Sequence, residues 1–233
     1  MIIGGLQKLT LIDYPGKIAA TVFTTRCNFR CPFCHNPELV LANWSEQGAI
    51  KEKDFFDFLK NRKGKLEGVC LTGGEPTIQP DILEFIAKIK KLGLDVKLDT
   101  NGLRTDVLKK IIAEDLVDYI AMDIKSSLQN YEKACGIKLD KQRIELSVDL
   151  IMNSGIHYEF RTTVVPGIHT EDDFIKIGRW IEGAERYVLQ KYEDQGKILN
   201  EVLRKKVVKS EELDLEKIRK MLRRNIRQVD IRA

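Results

Sequence analysis

Short apolar runs alternate with amphipathic stretches along most of this chain. The runs are brief and rich in β-branched residues, which predicts buried strands. Between them, apolar residues recur at positions i, i+3 and i+4, which predicts helices. The predicted strands cover residues 18–24, 68–71, 95–98, 117–124, 158–165 and 186–192. The predicted helices cover residues 53–63, 80–92, 105–114, 141–153, 170–182 and 211–224.

This regular alternation is typical of a parallel sheet with right-handed crossovers. Six βα units fit an open, partial (β/α)6 TIM-like barrel better than a closed eightfold one. We therefore expect an α/β protein with a mostly parallel sheet and a single domain over residues 1–233. Its core spans about residues 17–192, and residues 193–233 form a C-terminal extension with one further helix and a short QVDIRA segment.

The N-terminal segment is predicted to form a hairpin. Its two arms, LQKLTLI and KIAATVF, flank the turn residues Asp13, Tyr14, Pro15 and Gly16. A central Pro-Gly pair suits a type II turn in which Gly16 takes the positive φ. The second arm leads into a cysteine-rich loop, and the segment HNPELVLANW that follows is predicted to be an irregular crossing.

The composition is that of an ordinary soluble protein, with 43% apolar and 32% charged residues. A net charge of +4 is too small to indicate nucleic acid binding. No apolar stretch is long enough to span a membrane and no leader peptide is visible, so we expect a cytoplasmic protein. Residues 204–233 carry eleven Lys/Arg against five Asp/Glu, which fits a solvated helix or a docking surface for an acidic partner.

Three of the five cysteines, Cys27, Cys31 and Cys34, form a C-x3-C-x2-C pattern directly after the first parallel strand. Three thiolates can hold three irons of a cubane cluster and leave the fourth iron open to a small molecule. A zinc site that adds His35 is the alternative. Because His35 directly follows Cys34, both side chains can hardly reach one ion.

Polar and glycine-rich segments follow the other predicted strands. They are TGGEP at 72–76, DTNG at 99–102, Asp123 with Lys125, and PGIH at 166–169. Each alone is typical of a turn. The carboxyl ends of parallel strands share one edge of a sheet, so together these segments and the cysteines predict a single site.

The motifs CNFRCPFCHNPE, TGGEP, DTNG, MDIK and RTTVVPG, in this order, resemble the activating enzymes of glycyl radical enzymes, a radical S-adenosylmethionine (SAM) group. The segment LQKLTLIDYPGKIAATVF is more similar still to the activating proteins of anaerobic ribonucleoside-triphosphate reductase. The resemblance covers residues 5 to about 192.

This resemblance implies one [4Fe-4S] cluster on Cys27, Cys31 and Cys34, whose open iron is chelated by SAM. It implies reductive cleavage of SAM and hydrogen abstraction from a glycine of a partner enzyme, with a flavodoxin or ferredoxin as electron donor. The SAM contacts that it implies are Phe33, Gly73, Gly74, Glu75, Asp99, Asn101, Asp123, Lys125 and Val165. Asp99, Thr100 and Asp123 are alternatively expected to share a monovalent cation.

Two departures from the family pattern stand out. Arg26 replaces the small glycine that usually precedes the first cysteine. After the sixth strand the chain offers Gln190, Tyr192 or Glu193 instead of the adenosine-contacting histidine of pyruvate formate-lyase activases, which argues against that substrate. A radical SAM enzyme with a small-molecule substrate and a non-catalytic metal-binding docking module remain as alternative hypotheses.

Overall fold

The computed structural model describes residues 1–40, 48–194, 196–207 and 211–232. Its centre is an eight-stranded sheet in the order β1 to β8. The first strand is antiparallel to the second, and each later strand is parallel to its predecessor. The strands are β1 Ile3–Thr10, β2 Ala19–Thr24, β3 Gly68–Gly73, β4 Asp95–Thr100, β5 Tyr119–Asp123, β6 His157–Val164, β7 Arg186–Lys191 and β8 Gln228–Arg232.

Helices connect the parallel strands as the periodicity predicts. They are α1 Pro37–Val40, α2 Glu52–Asn61, α3 Ile82–Lys90, α4 Thr105–Ala113, α5 Tyr131–Cys135, α6 Lys141–Met152, α7 Glu171–Trp180, α8 Glu201–Val207 and α9 Leu215–Leu222, with a short 3-10 helix at Pro76–Ile78. The short helices α1, α5 and α8 are additions to the prediction. Residues 41–47 of the predicted irregular crossing lie outside the described residues.

The N-terminal hairpin is present. Lys17 N–H donates to the Tyr14 carbonyl (3.2 Å), and Gly16 has φ +74°, as the type II turn requires. At the other end of the sheet, β8 makes the sheet one parallel strand longer than the six predicted. This strand was missed because Gln228, Asp230 and Arg232 alternate with only two apolar residues.

The sheet curves so that its two faces have different chemistry. In β4, Val96 and Leu98 are fully buried in the apolar core, whereas Lys97 and Asp99 point the other way. Asp99 on β4 pairs with Arg161 on β6, two strands away, which is a contact across the inside of a curved sheet. Among the described residues β8 does not pair with β1, so the open α/β barrel fold is confirmed.

In the described part of the chain, no helix has the length and apolar character needed to cross a lipid bilayer.

Candidate functional site

The three clustered cysteines lie beyond the C-terminal end of β2 and line one cavity of about 190 Å³. All five cysteines of the chain are free thiols, and of these Cys27, Cys31 and Cys34 line the cavity. The C-terminal ends of β3, β4, β5 and β6, with residues that follow the first three of these strands, complete its wall. The residues of the predicted site that line the cavity are Cys27, Cys31, Phe33, Cys34, Gly73, Gly74, Glu75, Asp99, Thr100, Asn101, Asp123 and Lys125.

One side of the cysteine loop (residues 26–35) rests on Gly73 and Gly74. The Gly74 N–H donates to the Thr24 carbonyl and the Glu75 N–H to the Arg26 carbonyl, both at 2.8 Å. A Cβ on Gly74 would lie 1.9 Å from the Arg26 carbonyl oxygen, and one on Gly73 2.6 Å from the Thr24 nitrogen. Both glycines are therefore needed because the backbone of the cysteine loop approaches them closely.

The other side of the loop rests on the end of α5. The Arg30 N–H donates to the Cys135 carbonyl at 2.9 Å, and a Cβ on Gly136 would lie 2.0 Å from the Arg30 carbonyl oxygen. The C-terminal extension adds two more hydrogen bonds, from Leu199 N–H to the Cys34 carbonyl (3.2 Å) and from Asn200 N–H to the Pro32 carbonyl (3.0 Å). Segments distant in sequence thus fix the backbone of the loop.

Arg26 occupies a backbone conformation that favours glycine. Its φ is +66°, in the left-handed region, and its N–H donates to the Leu39 carbonyl at 2.7 Å. A non-glycine residue is strained there. Hydrogen bonds hold Arg26 in this conformation, because its N–H donates to the Leu39 carbonyl and its carbonyl accepts from the Glu75 N–H.

Glu75 is fully buried and joins two loops. Its Oε1 accepts from the Thr77 N–H (3.1 Å) and the Thr100 hydroxyl (2.7 Å), and its Oε2 accepts from the Asn101 N–H (2.7 Å). Burial raises the pKa of Glu75, which these hydrogen bonds oppose. We predicted Glu75 as a SAM contact, and the structure shows that its oxygens are largely engaged by the protein.

Asn101 in turn holds the first cysteine. Its amide nitrogen donates to the Asn28 side-chain oxygen at 2.7 Å and lies 3.8 Å from the Cys27 sulfur. Its own oxygen accepts from the Leu103 N–H at 3.0 Å. The GGEP and DTNG loops and the cysteine loop therefore form one hydrogen-bonded unit.

Five side chains, four of which line the cavity, form a chain of alternating charge. Lys97 bonds Asp99, and Arg161 donates to both Asp99 (3.1 Å) and Asp123 (2.8 Å). Lys125 donates to the second oxygen of Asp123 at 3.0 Å. Burial opposes ionisation, but these cations hold the pKa of Asp99 and of Asp123 below the usual range.

The monovalent cation predicted at Asp99, Thr100 and Asp123 stays a prediction. The Asp99 and Asp123 oxygens are paired with protein cations, and the Thr100 hydroxyl donates to Glu75. In the described part of the chain, no three His, Cys, Asp or Glu side chains converge as ligands of one ion.

Burial raises the pKa of Cys27 to about 11 and that of Cys31 to about 12, while the Lys125 charge opposes both shifts. The pKa of Cys34 is raised for the same reason. Metal-free thiols at this site are therefore protonated near neutral pH. Binding of iron would release these protons.

Phe33 is buried and packs edge-on against His169, with ring centroids 6.2 Å apart. His169 Nδ1 accepts from the Val165 N–H (3.0 Å), which leaves Nε2 to donate to the Lys125 carbonyl (2.8 Å). His169 therefore positions Lys125 and Phe33. Val165 is fully buried and, alone among the predicted contacts, is not among the described residues that line the cavity.

His35, the fourth ligand in the zinc hypothesis, also borders the cavity. Its ring packs on Tyr192, with centroids 5.1 Å apart, and its buried Nδ1 has no hydrogen-bond partner among the described residues. Burial lowers the pKa of His35 and keeps the ring neutral. Tyr192 is thus the member of the trio Gln190, Tyr192 and Glu193 that contacts the ring beside the third cysteine.

Lys97 and Arg161 were missed as functional residues by sequence reasoning. Both lie within strands, where charged side chains are ordinarily assigned to solvent. The signal that could have found them is the alternation of side chains between the two faces of a strand. Lys97 lies on the same face of β4 as Asp99, and Arg161 lies on the same face of β6 as Glu159 and Thr163.

Comparisons with known proteins agree with this geometry. A family model described as Radical SAM superfamily matches residues 21–181. A Methanocaldococcus jannaschii protein provisionally named a glycyl-radical enzyme activating enzyme is 32% identical over all of this chain and 96% of its own length. The pyruvate formate-lyase-activating enzyme of Clostridium pasteurianum is 27% identical over 83% of each chain.

Other relatives carry different names. The GTP 3′,8-cyclase of Campylobacter lari is 29% identical over 76% of this chain and 59% of its own length. The crystal structure of Streptococcus suis SuiB bound to S-adenosylmethionine superposes with a TM-score of 0.66 at 15% identity, over 90% of this chain. This chain spans about half the length of SuiB, 49%, so the likeness concerns the fold.

Proposed function

The chain belongs to the radical SAM superfamily and its glycyl-radical enzyme activating family, and we propose that it generates the glycyl radical of an anaerobic ribonucleoside-triphosphate reductase. Members of this superfamily use a [4Fe-4S] cluster and SAM. When bound, the cluster supplies the electron that cleaves SAM and so provides the radical that abstracts hydrogen from glycine.

One observation carries the proposal: Cys27, Cys31 and Cys34 are the three described thiols on a single cavity, which suits a cluster with one iron left for SAM. We assign these cysteines as the cluster ligands. Lys125 adds a positive charge that favours their thiolate form.

The SAM contacts belong to the same proposal. Asp123, Lys125 and Phe33 are fixed by Arg161 and His169. Gly73, Gly74, Glu75 and Asn101 keep the surrounding loops in place through the contacts described above. Asp99 accepts a hydrogen bond from Arg161 and so holds its guanidinium in place. The Val165 N–H donates to His169 and so holds the imidazole ring in place.

The choice of reductase rests on sequence features. The hairpin segment LQKLTLIDYPGKIAATVF carries the resemblance. At the end of β7 the chain offers Gln190, Tyr192 or Glu193 instead of the histidine that the resemblance implies for pyruvate formate-lyase activases. An electron donor of the flavodoxin or ferredoxin type and a reducing cytoplasmic location complete the proposal. The five free cysteines fit such a location.

A small-molecule substrate is the second candidate, because the similarity to GTP 3′,8-cyclase extends over 76% of this chain. The two candidates share SAM cleavage and differ in what the radical attacks. A non-catalytic metal-binding module would not cleave SAM.

The test is anaerobic reconstitution with iron and sulfide, followed by addition of SAM and dithionite. We expect about four irons per chain and formation of 5′-deoxyadenosine and methionine. With the purified reductase present, we expect the electron paramagnetic resonance (EPR) doublet of a glycyl radical. Binding of about four irons without SAM cleavage would refute the enzyme assignment. SAM cleavage without a radical on the reductase would favour another substrate.

Matched cysteine variants provide the control. Cys31→Ala should abolish both cluster binding and SAM cleavage. Cys135→Ala should retain both, because Cys135 contributes a backbone carbonyl to the loop and its sulfur faces the carbonyls of Glu132 and Ile137.

A further inference from the structure

We infer that the exposed cations around the cysteine loop, Arg26, Arg30, Lys133 and Lys138, form the docking surface for an acidic one-electron donor protein. This inference rests on the proposed function, since it concerns the protein that reduces the cluster. We call these four residues the loop cations. All four side chains are exposed.

Arg30 connects this surface to the site most directly. Its guanidinium NH1 donates to the Cys27 carbonyl at 2.6 Å and to the Phe29 carbonyl at 2.7 Å. An exposed positive charge therefore lies on the backbone of a residue assigned as a cluster ligand. A protein that contacts Arg30 is within one residue of the cluster.

Lys133 and Lys138 extend the positive surface. The α5 end on which the loop rests is Cys135 and Gly136, and the two lysines lie two residues before and two residues after this pair. Arg30, Lys133 and Lys138 thus lie on the α5 side of the cysteine loop, whereas Arg26 lies on its β3 side.

These charges are available to a partner. Among the described residues, none of the four forms an ion pair with a carboxylate, whereas Arg104, Lys176, Arg204 and Lys217 on the same molecule all do. An unpaired cationic surface attracts an acidic protein over several ångströms and accelerates its association, most strongly at low salt. The complementary partner is therefore an electron carrier with an acidic face.

The basic C-terminal segment provides a natural comparison. Within the described part of that segment, Arg223 and Arg224 are exposed and follow α9, close to the N-terminal end of β8. This is the end of the barrel opposite the cysteines, since the strands are parallel. Residues 208–210 lie outside the described residues. Removal of charge there should not affect reduction of the cluster.

The experiment compares two variants with the same change in net charge, Lys133→Glu/Lys138→Glu and Arg223→Glu/Arg224→Glu. Arg30 is left intact because its side chain binds the loop. SAM cleavage is driven either by dithionite or by a purified reduced flavodoxin. Flavodoxin binding is measured at low and high salt by isothermal titration calorimetry, and the midpoint potential by EPR-monitored titration.

We expect the loop variant to lose about tenfold or more of the flavodoxin-driven rate and most of the salt dependence of binding. Its iron content, midpoint potential and dithionite-driven rate should match those of the wild type, and the Arg223→Glu/Arg224→Glu variant should behave as the wild type throughout. Equal flavodoxin-driven rates in both variants, or a shifted potential in the loop variant, would overturn the inference. Failure of dithionite-driven SAM cleavage in the wild type would instead overturn the proposed function.

Discussion

At the scale of single residues, the site depends on backbone contacts as much as on side-chain chemistry. Arg26 takes a left-handed conformation because its N–H and its carbonyl are fixed by Leu39 and Glu75. Gly73 and Gly74 face this part of the loop with no room for a side chain. The residue before the first cysteine is therefore under strain that a glycine would relieve.

Arg26→Gly tests this strain. A left-handed non-glycine residue costs about 1–2 kcal/mol, and glycine loses roughly 0.5–1 kcal/mol through the entropy of the unfolded chain. We therefore expect the free energy of unfolding of the metal-free protein to rise by about 0.5–1 kcal/mol, measured by urea denaturation.

Lys91→Gly is the control, because Lys91 is exposed and has a helical φ of −62°. It should lower the free energy of unfolding by about 0.5–1 kcal/mol. A loss of stability in Arg26→Gly as large as that in Lys91→Gly would show that Arg26 is not strained.

At the scale of elements, the cysteine loop is held between β3 and α5. The contact with α5 joins residues about a hundred positions apart, Arg30 and Gly136, and it was not foreseen from the sequence. A loop held on both sides can present three thiolates to a cluster without a large loss of conformational entropy on binding.

Gly136→Ala should displace the loop, since its Cβ would meet the Arg30 carbonyl oxygen at 2.0 Å. We expect iron and sulfide incorporation to fall at least several-fold, while the far-ultraviolet circular dichroism spectrum stays unchanged. Chemical analysis of iron and sulfide after anaerobic reconstitution measures the effect.

Gly155→Ala separates the clash from backbone strain. Gly155 has φ +74°, nearly the +73° of Gly136, but a Cβ added to Gly155 would meet no described atom within 4 Å. The control should lose about 1 kcal/mol of stability and bind iron normally. Equal iron incorporation in the two variants would contradict the proposed role of the α5 contact.

At the scale of the whole molecule, the barrel encloses a layer of charge. A chain of ion pairs links β4, β5 and β6 at the cavity, through Lys97, Asp99, Arg161, Asp123 and Lys125. The two carboxylates are therefore ionised in the folded protein. A pKa lowered by folding means that the unfolded state binds more protons. The stabilisation that the ionised carboxylates contribute is then fully present above the pKa of an unfolded aspartate, about 3.9, and is lost as the pH falls below that value.

Asp123→Asn tests this linkage. We expect the variant to be less stable at pH 7 by roughly 2–4 kcal/mol, because Arg161 and Lys125 lose a buried partner. Between about pH 4 and pH 2, its free energy of unfolding should fall less steeply than that of the wild type. Urea denaturation across this pH range measures both effects.

Asp57→Asn is the matched control, since the Asp57 side chain is about half exposed and pairs with Lys60 at 3.4 Å on the surface. It should change stability by less than about 1 kcal/mol at any pH. If the free energy of unfolding of Asp123→Asn falls as steeply below pH 4 as that of the wild type, the prediction is contradicted.

Local signals in the sequence were enough to predict the order of the elements and the positions of the chemical groups. Periods of 2 and 3.6 residues and the Pro15-Gly16 turn are such signals, and the structure has strands, helices and a turn where they predicted them. The cysteine spacing is also local. Since parallel strands end at one edge, the cysteines, TGGEP, DTNG and Asp123 were predicted to meet there, and the described residues do meet.

What these residues do once they meet depends on the three-dimensional arrangement of the strands. That arrangement provides Glu75 with its protein donors, puts Arg161 between two carboxylates, and adds β8 to the sheet. Each of these depends on contacts between strands far apart in the chain, which no local period encodes. The curvature of the sheet decides which inward side chains touch, and that curvature arises from the packing of the whole barrel.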